Sequence, residues 1–252
     1  MEHLAPESVA EFNAGVRAMR AGDPVGAANH WRRAIEADNA MTPAARNLIA
    51  LHAEARDYAR VAELYQLILA DDPFDTDAWV LQGAAFRKAG LPDRAVANYE
   101  QALRLHPYFR FWYDELAAIH DAIGHAAAAS QWRERAAALD TEEAEMAYDD
   151  AVRQLRAGNA DLATTILEAV LDDQPANLDA RVHLVRALHG LGRTTDALDV
   201  LQVGVDAAPV GKPRFLFERA RIYDEFGRTA DALAALEQSV AAEPRYGRAA
   251  RY

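Results

Sequence analysis

Small and aromatic apolar residues recur at helical spacing along the chain, and the pattern itself repeats. Around the third repeat, Trp79, Gly83 and Phe86 fall on one face of a helix expected over Ala78–Ala89. Ala95, Tyr99 and Ala102 mark a second helix, expected from Arg94 to Leu105. Between them runs Gly90-Leu91-Pro92-Asp93. Glycine there takes the left-handed conformation that ends a helix, and proline suits the first turn of the next. Pro107 stops the second helix. No stretch alternates apolar and polar residues over a strand length, so no sheet is expected.

The period is 34 residues, the step from Pro73 to Pro107 and from Pro175 to Pro209. Asn39 and Thr141 fill the two vacant places of that grid, and Pro244 follows after one inserted residue. Three more grids share the register and the slip. One runs Gly22, Arg56, Gly90, Gly124, Gly158, Gly192 and Gly227. The next runs Ala27, Val61, Ala95, Ala129, Ala163, Ala197 and Ala232. The last runs Trp31, Tyr65, Tyr99, Arg133, Leu167, Leu201 and Leu236. Seven units follow: 8–41, 42–75, 76–109, 110–143, 144–177, 178–211 and 213–246.

The unit resembles the tetratricopeptide repeat. Trp79, Gly83, Phe86, Gly90, Ala95, Tyr99, Ala102 and Pro107 occupy that family's signature places. The resemblance implies an all-α fold, a right-handed superhelical α-solenoid of about seven helix–turn–helix repeats. It also implies a concave groove lined by the first helix of each unit, and a non-catalytic scaffold that holds a protein or peptide segment there. Ile49 and Val185 replace the small residue at the helix crossing, so those hairpins are expected to be slightly wider. No glycine or proline lies between Gly124 and Gly158. That junction is either an ordinary turn capped by Asp140, which has capping-box spacing to Glu143, or one continuous helix. Phe12-Val16-Met19 before Gly22 matches Tyr148-Val152-Leu155 before Gly158. Two sub-arrays, 1–143 and 144–252, would explain the match, within one continuous solenoid.

Composition narrows the chemistry. The chain has 252 residues, 51% of them hydrophobic, enough to bury a core. It has no cysteine, which excludes disulfide scaffolds, zinc fingers and thiol catalysis. A net charge of -12 argues against nucleic acid or an anionic membrane surface as partner. No apolar run approaches a membrane span and no signal peptide is evident, so the cytoplasm is the simplest compartment. HExxH, GxxxxGK[ST] and GxSxG are all absent. Gly190 and Gly192 follow a helix rather than a strand and read as a helix end. His120 and His125, and His183 and His189, lack the i, i+4 spacing of two ligands on one helical face. Neither an enzyme, a metal nor a cofactor is expected.

The resemblance places specific side chains in the groove. Asn47 and Arg87 come from the second and third units, Tyr148, Val152, Leu155 and Arg156 from the fifth. His183, Arg186 and His189 come from the sixth, Arg221 from the seventh. Arg156, Arg186 and Arg221 form a basic stretch that suits an acidic segment or a terminal carboxylate. Arg87 and Arg156 also sit where any cation complements a helix C-terminus, and Asp224 and Glu225 are within reach of Arg221. Arg186 has no acid among its i±3 and i±4 neighbours, so Asp149 or Glu218 of an adjacent unit is the alternative to a ligand. Phe12, Val16, Met19, Tyr148, Val152 and Leu155 make an apolar stripe. It either receives a partner's helix or packs against the N-terminal segment. The basic tail, residues 245–252, adds a second functional reading, self-association of copies, and a third is a recognition module of a larger enzyme.

Overall fold

The computed structural model describes residues 4–139, 142–207 and 210–251. Among these the secondary structure is helical throughout, with no strand. Fourteen helices form seven hairpins. They are α1 (Pro6–Arg20) and α2 (Pro24–Ala37), α3 (Thr42–Glu54) and α4 (Tyr58–Asp71), α5 (Thr76–Lys88) and α6 (Pro92–Leu105). Then come α7 (Arg110–Ala122) and α8 (Ala126–Ala137), α9 (Glu142–Arg156) and α10 (Ala160–Asp173), α11 (Leu178–Gly190) and α12 (Thr194–Ala207). The last pair is α13 (Lys212–Glu225) and α14 (Thr229–Ala242), followed by a short α15 (Gly247–Arg251). The hairpins start within about two residues of the repeat boundaries expected from the 34-residue grid. The fold is that of seven helix–turn–helix repeats. α8 and α9 are separate helices, so the 124–158 junction is not one continuous helix. The expected cap at Asp140 lies outside the described residues.

The turn inside each hairpin is built the same way seven times. Gly22, Gly90, Gly124, Gly158, Gly192 and Gly227 all have positive φ, from 66° to 83°. Arg56 takes the same conformation at φ 56°, although it carries a Cβ. The residue after each donates its backbone N–H to the carbonyl five positions back, as in Leu91 to Phe86 (2.9 Å) and Asp57 to His52 (2.9 Å). The local hydrogen-bond pattern therefore persists where the glycine is lost. Several helices then start on a side-chain cap, Asp23 accepting from the Gly26 N–H at 2.8 Å and Asp75 from Ala78 at 2.9 Å.

A second recurring device secures the loop between repeats. The residue six after the grid proline donates to that proline's carbonyl. Trp79 Nε1 reaches Pro73 (2.9 Å), the Tyr113 hydroxyl reaches Pro107 (2.8 Å), and Arg181 reaches Pro175 (2.7 Å). Three different side chains thus satisfy one loop carbonyl.

Packing divides the chain into two compact units, residues 1–99 with 245–252, and residues 100–244, the division falling within α6. In the first unit Trp31, Ala27, Ala34, Met41, Ala44 and Leu48 form one cluster. Tyr65, Ile68, Leu69, Ala78 and Ala85 belong to the next. Gly15 lets α1 approach α2 closely. A Cβ there would sit 2.5 Å from Trp31 Nε1, and Trp31 is itself buried. In the second unit Leu116, Ile119, Leu167, Leu188, Leu201, Phe215 and Leu216 are fully buried. The alanine grid is buried in both, because each of those positions faces the other helix of its hairpin.

Two substitutions test these constraints. Arg56→Gly relieves the left-handed backbone and is expected to stabilise by about 1 kcal/mol, read as a higher urea midpoint. Gly15→Ala pushes a methyl into the indole and is expected to destabilise by about 1–3 kcal/mol.

Candidate functional site

The first helices of the second unit, α9, α11 and α13, carry a ladder of polar pairs that bridge successive repeats. The Tyr148 hydroxyl stands 3.2 Å from His183 Nδ1, with the rings 5.9 Å apart. Arg214 donates to Asp179 at 2.7 Å. Arg186 donates to Glu218, and Arg221 donates to the other oxygen of the same carboxylate at 3.0 Å. His189 Nε2 lies 2.5 Å from Glu225. Apart from Arg221 and Glu218, which share α13, the partners lie about one repeat apart, so stacking brings them together.

At the α11–α13 end the ladder borders a cavity of about 410 Å³. Val185 and Ile222 form its floor, and Arg186, His189, Glu218 and Arg221 its polar wall. Glu218 is only 3% exposed, which a carboxylate tolerates because it accepts from two guanidiniums. Each guanidinium retains further N–H donors beyond the one spent on Glu218.

The expected groove residues are thus partly brought together. Arg186, Arg221 and His189 share one cavity. His183 pairs with Tyr148 further along the ladder. Arg156, on α9, is exposed and does not line the cavity, although its charge is felt at His183. Asn47 and Arg87 belong to the other packing unit, Asn47 half-buried and Arg87 exposed. The basic stretch is not a bare one, because Glu218 of the next repeat supplies the acid that Arg186 lacks in its own helix. Arg221 takes that same Glu218, three residues before it, as its nearest partner, while Glu225 stands at 4.0 Å. Glu218 and Glu225 enter the site as well: the sequence offers Glu218 as the alternative to a ligand at Arg186 and Glu225 as a local partner of Arg221, and the structure places both against the cavity. Their signal was present as acids at groove places of the seventh unit, opposite Arg186 and His189.

The apolar stripe divides. Phe12 and Val16 pack against the Trp31 cluster together with Leu4 of the N-terminal segment, so they belong to the core. Met19 is 43% exposed. Tyr148, Val152 and Leu155 are half-buried on α9.

Burial lowers the pKa of His183, against the opposing pull of Asp179. It also lowers that of His106, which is 5% exposed among the rings of Tyr108, Phe109, Trp112 and Tyr148. His106 Nδ1 has no hydrogen-bond partner. Among the described residues no group of three or more His, Asp or Glu is placed to hold a metal ion. No described helix is long and apolar enough to cross a membrane.

Two tetratricopeptide repeat family models match the chain, one over residues 77–107 and one over residues 154–222. The first covers the third unit and the second runs from the fifth into the seventh. Together with the seven hairpins on one 34-residue grid, these matches support a tetratricopeptide repeat family protein. Similar solved structures include a tetratricopeptide repeat protein from Parabacteroides merdae, 11% identical, covering 98% of this chain and 100% of that one, with a TM-score of 0.44. YrrB, described as a TPR protein with an unusual peptide-binding site, is 17% identical, covering 75% and 97%, with a TM-score of 0.39. MamA is 21% identical, covering 66% and 90%, with a TM-score of 0.36. No curated protein matches the chain. Tetratricopeptide repeat proteins are generally non-catalytic scaffolds, and the fold suggests protein–protein interaction.

His106 and His183 give the fold a pH-dependent stability. A histidine whose folded pKa lies below its ordinary 6.5 refuses a proton that the unfolded chain accepts. Its contribution is whole above that value and is lost as the pH falls below it. The denaturation midpoint is expected to drop between about pH 7.5 and about pH 5.5. His106→Phe, which removes the orphaned nitrogen and the titration, is expected to flatten that slope.

Proposed function

We propose that the protein is a non-catalytic interaction scaffold. Its α9, α11 and α13 face binds a peptide or protein segment, and Arg186 and Arg221 hold a carboxylate of that segment. The supporting observation is the cavity in which two arginines share one buried glutamate and keep donors to spare. A chain-terminal carboxylate is the best fit, because it enters end-on and offers two acceptors beside the apolar floor of Val185 and Ile222. An acidic side chain offers the same group on a longer lead. His183 and Tyr148 would meet the segment further along, and Leu155 would give it an apolar contact.

A panel of peptides with free or amidated C-termini, titrated against the full chain, tests this reading. Free-terminus peptides are expected to bind, with Arg186→Glu and Arg221→Glu each weakening them about tenfold or more. Arg60→Glu, on the exposed face of α4, serves as the control. Equal binding of free and amidated peptides, or no loss in the Arg186→Glu chain, removes the assignment.

A further inference from the structure

Within the first packing unit, the segment 245–251 lies against the C-terminal end of α4. Arg248 reaches Asp71 at 3.1 Å and Asp72 at 2.9 Å, and Arg251 pairs with Asp71 as well. Tyr246, 1% exposed, packs edge-on against Phe74 with ring centres 5.2 Å apart. Gly247 lets the two backbones approach, since a Cβ there would stand 2.7 Å from the Ala70 carbonyl oxygen.

The receiving corner is unusual for an acidic pair at a helix end. Asp71 and Asp72 are 8% and 4% exposed. Asp72 also accepts the Phe74 N–H at 3.1 Å, a local turn bond. Among the described residues, the ion-pair partners of Asp71 are Arg248 and Arg251 of the tail. A buried carboxylate without a counter-charge is costly, so the corner depends on what the tail supplies. The occupant is also out of its repeat place. Pro244 and Ala249 match Pro73 and Ala78, so α15 has the pattern of a first helix. Yet the helix it packs on is α4.

We propose that the Asp71–Asp72–Phe74 corner is an exchangeable socket for the segment 245–251. Its own tail fills it at low concentration, and the tail of a second copy fills it at high concentration. The chain links the occupant to the preceding body at Arg245, so an identical set of contacts forms whichever copy donates it. The tether sets the balance, because it fixes the effective concentration against which a second copy competes. Both arginines are more than a third exposed, so the socket is salt-sensitive and opens reversibly.

Complementary full-length chains test it. The first carries Arg248→Glu and Arg251→Glu, which leaves its corner empty. The second carries Asp71→Arg, which displaces its own tail. Each is expected to be monomeric alone by sedimentation, and an equimolar mixture to form a one-to-one dimer that salt dissolves. A labelled peptide of sequence RYGRAARY gives a second reading, independent of how well the Asp71→Arg chain folds. It is expected to bind the first chain about tenfold or more tighter than wild type, whose corner is occupied. The same peptide with the Gly247→Ala change, which alters no charge, is expected to bind more weakly. A mixture that stays monomeric while both chains keep their helical content overturns the exchange. A peptide that fails to bind the first chain, or binds no better than its scrambled sequence, overturns the socket.

Discussion

A pair of antiparallel helices covers only part of its own apolar surface, and a repeat is completed by a neighbour. That requirement dictates most of what the molecule does with its residues. Alanine at the hairpin crossing brings the two helices together, and bulky side chains such as Tyr65, Leu167 and Leu201 fill the space to the next hairpin. Stacking in turn decides which polar side chains meet. The groove electrostatics follow from the core rather than from any local sequence signal.

Most of the fold was legible because its signals are local. A glycine, a proline and two small residues suffice to mark a hairpin, and the left-handed turn recurs on the same grid throughout. Arg56 shows how far the period outweighs a single residue. It carries a Cβ where the other six turns have glycine, yet the turn keeps its hydrogen bonds because both flanking helices are fixed by packing.

The site was less legible. Arg186 has no acid within the four residues that helix rules reach, and only packing decides between a ligand and Glu218 of the next repeat. Arg221 was read against the acids after it, and its nearest partner precedes it. The loop carbonyls were missed for the opposite reason. Trp79, Tyr113 and Arg181 share a position but no chemistry except a donor at the end of a long side chain. Phe12 and Val16 had the spacing of an exposed stripe, and their packing against the Trp31 cluster makes them core.

The ladder of pairs along α9, α11 and α13 has one more consequence. The apolar faces of the seven hairpins are near-duplicates on one 34-residue grid. The polar groups are not. Tyr148 is keyed to His183, Asp179 to Arg214, and Arg186 to Glu218, each to the hairpin that follows. Such pairs work as an address, giving the fifth, sixth and seventh repeats a place in line that their hydrophobic pattern would leave open. A chain of near-duplicates thereby acquires a fixed order.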